Sequence, residues 1–100
     1  MVELIKILAT IELFSNERSR KTPFKSGYRP LFNFPGADIK ISGSISLMGI
    51  ESFAPGTKGN VVITYIRGMI NNDYFRPGIK FTFSEALDIL GKGEIMEVII

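Results

Sequence analysis

Carboxylates such as Glu51, Asp73, Glu85 and Asp88 could act as an acid or base, and these stand scattered among turn-forming residues. No second carboxylate or nucleophile is spaced to pair with any of them, so the pattern is that of solvated surface and not of an active site. Histidine and cysteine are both absent. That removes thiol nucleophiles, disulfides, zinc clusters and the usual general base together. The expectation is a chain that is not an enzyme, with no metal ligands and no cofactor. Positive charge is the other chemistry on offer. Arg18, Arg20, Lys21 and Lys25 cluster just ahead of Tyr28, where such charges either keep a loop soluble or contact phosphates. A nucleotide is not expected: there is no GxxxxGK[ST] loop, and Gly56-Thr57-Lys58-Gly59 lacks its spacing.

The elements that would position these residues must fit in 100 residues, the size of a single small domain, 1–100. Apolar residues make up 45% of the chain and include eight Phe, enough for a core without staples. The net charge of +2 is far from that of a typical free-standing nucleic-acid binder. Glu3, Lys6 and Glu12 interrupt the apolar N-terminal stretch, so it does not read as a signal peptide. No run approaches the roughly 20 apolar residues that span a bilayer. A soluble, cytoplasmic protein without a membrane partner is expected.

Alternation then places the strands. Ile5, Ile7, Ala9, Ile11 and Leu13 share one parity over residues 4–14, and Tyr28, Pro30, Phe32 and Phe34 share another. Ile39, Ile41, Gly43, Ile45 and Leu47 form the most regular series, with Gly43 marking a bend or a close backbone approach. Residues 60–67 differ, because Val62 and Ile66 are apolar on the face opposite Val61, Ile63 and Tyr65. A strand apolar on both faces is covered on both. A short strand over Ile79, Phe81 and Phe83 follows, then a loop over 84–90 closed by Gly91-Lys92-Gly93, and a last strand from Glu94 to Ile99. About six short strands and little helix predict an all-β barrel or sandwich.

Several short motifs in one order resemble the third, C-terminal domain of bacterial elongation factor Tu. They are Thr22-Pro23-Phe24, Gly27-Tyr28-Arg29-Pro30 with Phe32 and Phe34, Ser42-Gly43-Ser44-Ile45 with Leu47, Pro55-Gly56, Gly78-Ile79-Lys80-Phe81 with Glu85, and Gly91-x-Gly93. The resemblance runs from near Ile7 to Ile99. It implies a six-stranded antiparallel Greek-key barrel. It also implies contact with the T-stem backbone of aminoacyl-tRNA, with Arg20, Ser42, Arg67 and Glu85 in matching positions and Lys21 beside them. Leu31 stands where the family has an RNA-contacting glutamine, and Ala86 where it has a glycine that lets RNA approach. Both changes weaken such a site.

The factor buries this barrel against its other domains, so a barrel without them exposes apolar surface. Val62 and Ile66 are one candidate interface, and Met48, Ile50 and Phe53 another, unless these side chains merely pack beneath loops. The expected function is a non-catalytic binding module for a protein partner, either a second copy or a translation-related protein. Weak binding to tRNA or RNA backbone through Arg20, Lys21, Ser42, Arg67 and Glu85 is the alternative.

Overall fold

The computed structural model describes residues 3–16 and 20–99; Arg18 of the basic cluster lies outside them. Seven strands are present among these residues: β1 (Leu4–Leu13), β2 (Leu31–Asn33), β3 (Ile41–Ser42), β4 (Ser44–Leu47), β5 (Lys58–Ile66), β6 (Lys80–Glu85) and β7 (Asp88–Val98). One 3-10 turn, Asn72–Tyr74, interrupts them. The fold is all-β and every strand pairing is antiparallel. β1 has the parity expected of it, with Ile5, Ile7, Ala9, Ile11 and Leu13 all buried. It lies in the interior of the sheet, paired with β5 on one side and β7 on the other.

The strand order is β3-β2-β6-β7-β1-β5-β4. Its two ends, β3 and β4, are consecutive in the chain with only Gly43 between them. A sheet whose opposite ends are joined by one residue has to curl back toward itself in the manner of a barrel. Backbone bonds tie the meeting ends: the Ile45 amide donates to the Tyr28 carbonyl at 2.9 Å, and the Phe53 amide to the Phe24 carbonyl at 2.8 Å. The reason for glycine is spatial. A Cβ on Gly43 would lie 2.6 Å from Tyr65 Cε1 and 3.0 Å from Phe32 Cε2. The bend also splits the expected strand over 39–47, so seven strands are found where six were expected, and Ile39 falls outside as an exposed residue.

A second departure lies near the C-terminus. The loop expected over 84–90 is a tight hairpin in which Glu85 pairs with Asp88 and only Ala86 and Leu87 form the tip. β7 therefore starts six residues earlier than alternation suggested, and Gly91 and Gly93 sit inside it. Their missing side chains are replaced by aromatic rings. A Cβ on Gly91 would come within 2.3 Å of both Phe83 Cζ and the Glu12 carbonyl oxygen. On Gly93 it would be 2.6 Å from Phe81 Cζ. Phe32, Phe34, Tyr65, Phe75, Phe81 and Phe83 interlock through edge-on and tilted ring contacts 5.1–5.9 Å apart. Phe24 and Phe53 stack at 5.3 Å as a second aromatic group.

Candidate functional site

The hairpin joining β6 to β7 carries Glu85 to the loop that precedes β2. There the Arg20 guanidinium donates to Glu85 Oε1 at 3.1 Å, and the Tyr28 hydroxyl donates to the same oxygen. Arg20 also lies over the Tyr28 ring, 4.8 Å from its centroid, while the other residues holding that ring include Phe24, stacked at 4.6 Å. Burial, then the hydrogen bond and the negative charge of Glu85, push the Tyr28 hydroxyl well above the ordinary tyrosine value, and Arg20 opposes them. Tyr28 is thus a neutral donor at physiological pH. The group holds these charges in place.

Of the residues expected to form an RNA-backbone surface, Arg20 and Glu85 are brought into contact with each other. Ser42 is close by on the outer face, where its hydroxyl accepts from Arg29 at 3.3 Å. Leu31 links the two places, because it pairs with Ser42 on one side and Ser84 on the other. Lys21 Nζ donates to the Asn16 carbonyl at 3.1 Å. Arg67 is held elsewhere, at the end of β5, where it pairs with Glu3 at 3.7 Å. A phosphate arriving at Arg20 would have to compete with Glu85 and with the Tyr28 ring. Such half-exposed pairs and cation–π contacts are each worth about 1 kcal/mol or less.

The two expected protein interfaces divide differently. Val62 and Ile66 point outward from β5, Val62 opposite Leu8 and Ile66 opposite Leu4 on β1. Leu4 and Ile66 are each 43% exposed. The second face that alternation required to be covered is therefore open at Leu4 and Ile66 and half-buried at Leu8 and Val62, with Lys6 and Thr64 between the two pairs. Met48 and Ile50 are exposed on the segment after β4, but Phe53 is 1% exposed and paired with Phe24 in the core. Phe53 cannot offer its ring to a partner. It lies inside because its backbone bridges to Phe24 and turns the ring onto the aromatic group.

Sequence reasoning missed three contributors. In the sequence Tyr28 reads as a strand face and part of a motif, although a tyrosine hydroxyl placed next to a core needs a polar partner and so signals one. Leu4 lay at the margin of its strand. Leu87 was hidden in an expected loop, yet it is 93% exposed at the hairpin tip. No group of acidic residues among the described residues is arranged to hold a metal ion. None of the models of known protein families matches this chain.

Proposed function

We propose that this chain is a non-catalytic protein-interaction module related to the C-terminal barrel of elongation factor Tu, and that it docks a translation-related protein through β1 and β5. The observation that carries the reading is the outward stripe of Leu4, Leu8, Val62 and Ile66. Apolar side chains gathered on adjacent strands in this way mark a docking face. The curled all-β sheet is compatible with the barrel that this reading requires, although it has seven strands and two ends. In the factor, neighbouring domains cover such a barrel.

The test is a titration of the isotope-labelled chain with the first two domains of elongation factor Tu, followed by amide resonances. Shifts confined to the β1 and β5 stripe, and lost in Ile66→Asp, support the reading. No shifts at a several-fold molar excess would refute it. A parallel titration with tRNA at low and moderate salt addresses the alternative. Arg20, Arg29 and Ser42 favour that alternative by their proximity, and the Glu85 pairing counts against it. Binding through three or four phosphates weakens steeply with salt.

A further inference from the structure

Residues 68–77 stand apart from the sheet they cover. The amides on either side of them are tied down: Arg67 donates to the Glu3 carbonyl at 2.9 Å, and Gly78 to the Ile95 carbonyl at 2.7 Å. Between those two posts, every hydrogen bond and ion pair among the described residues stays within 71–79. Tyr74 and Phe75 donate to the carbonyls of Asn71 and Asn72, the Asp73 amide donates to Asn71 Oδ1, and Arg76 pairs with Asp73. Gly68 and Gly78 have φ values of 95° and 89°, so the segment begins and ends at positions where the backbone can pivot. It is also undercut on both sides. A cleft of about 320 Å³ lies between it and residues 36–39, and one of about 300 Å³ between it and Pro35 and Ile79.

One side chain fastens this segment to the core. Phe75 is buried, Ile70 and Tyr74 are half-buried, and every other residue from 68 to 77 is exposed. The Phe75 ring lies 5.5 Å from that of Phe34 and 5.2 Å from that of Tyr65. Tyr65 is buried as completely as any ring of the core, yet its hydroxyl has no hydrogen-bond partner among the described residues. Buried hydroxyls are nearly always bonded, and a phenylalanine would pack there without leaving one unpaired. Phe75 covers Tyr65 with a ring that can give it no hydrogen bond.

We infer that residues 68–77 form a lid, and that with the lid raised Phe34 and Tyr65 bind a small phenol-like compound in place of the Phe75 ring. Phe34 and Tyr65 stand edge-on, 5.9 Å apart at 66°, so they leave two aromatic walls when Phe75 withdraws. The Tyr65 hydroxyl supplies the one polar handle. The ligand's own polar group is neutral, since neither wall offers a charge to pair with. Tyr65 belongs to β5 but faces inward, so this site is separate from the outward stripe of Val62 and Ile66.

Two measurements on the whole isotope-labelled chain test this. The first is amide exchange in graded urea below the unfolding transition. The Tyr74 and Phe75 amides should exchange about tenfold or more faster than those of β1 and with little urea dependence, because raising the lid exposes little surface. Exchange at the rate and urea slope of β1 overturns the lid. The second uses phenol as the ligand and toluene as the same ring without a hydroxyl. Phenol should shift resonances of Phe34, Tyr65 and residues 68–77 with a Kd on the order of 1 mM. Phe75→Ala should tighten phenol about tenfold or more by removing the competing ring, and Phe75→Leu repeats the test if that variant fails to fold. Tyr65→Phe should weaken phenol about fivefold and leave toluene unchanged. No shifts at twenty times the expected Kd would overturn the pocket, as would equal phenol affinity in the wild type and Tyr65→Phe. Shifts confined to Leu4, Leu8, Val62 and Ile66 would place phenol on the stripe and overturn this inference alone.

Discussion

Replacing Gly91 with alanine adds a methyl group where a ring edge and a backbone oxygen already stand. Its Cβ would lie 2.3 Å from Phe83 Cζ and 2.3 Å from the Glu12 carbonyl oxygen, more than an ångström inside ordinary contact. The ring is fully buried and the carbonyl belongs to β1, which is paired on both sides, so neither yields cheaply. Overpacking a core by one methyl usually costs about 1–3 kcal/mol. With a backbone atom also in the way, we expect Gly91→Ala to cost about 3 kcal/mol or more. For a domain of this size that lowers Tm by about 12 °C or more. Phe83→Leu alone should cost about 1–2 kcal/mol through lost packing. The double variant should be more stable than the sum of the two predicts by about 1 kcal/mol, because the smaller side chain relieves one clash of two. Urea unfolding followed by circular dichroism, with midpoint and slope compared across the four proteins, measures each value. Gly91→Ala within about 0.5 kcal/mol of the wild type, or strict additivity with Phe83→Leu, would refute the claim that ring and glycine share one space.

Two further outcomes follow from the tyrosines. Burial holds the Tyr65 hydroxyl protonated well above its ordinary value, and Tyr28 is raised as well. Their stabilising effect is complete below the unfolded tyrosine value near pH 10 and is lost as pH rises from there through the folded values. Urea midpoints should therefore fall above pH 10, and Tyr65→Phe should fall less steeply, by up to about 1.4 kcal/mol per pH unit; parallel slopes would show that Tyr65 does not carry the effect. Glu85→Ala removes the acceptor and the charge that raise Tyr28 while leaving Arg20 beside it. The tyrosinate titration seen by ultraviolet absorbance should then shift downward with a stability loss below about 1.5 kcal/mol, and an unchanged titration would break the link between the two residues.

Parity alone located β1 and β5, because each has one buried face that tolerates no slip of register. It misplaced the start of β7 for a physical reason: Gly91 and Gly93 look like a turn, yet they are the spaces into which Phe83 and Phe81 lean. That relation joins two strands and leaves no trace within either. Gly43 was legible as a bend, but not as the point where the sheet's two ends meet. At the site, Arg20 and Glu85 are 65 residues apart, and only the resemblance put them on one surface. Nothing local foretold that they would bind each other, nor that Phe53 would turn inward while its neighbours Met48 and Ile50 stayed outside.

The interior position of β1, between two strands from the second half of the chain, has a kinetic consequence. Ile7 faces Ile63 on one side and Val98 on the other, both more than half the chain away. The first strand in the sequence therefore has no early partner, whereas β6 and β7 can close on each other through their two-residue tip. On contact order alone the hairpin is expected to form before β1 inserts between β5 and β7. Topologies dominated by such distant pairings fold in milliseconds to seconds. During that interval β7 presents an unpaired edge rich in hydrogen-bonding groups, and the chain is most exposed to aggregation while β1 remains outside the sheet.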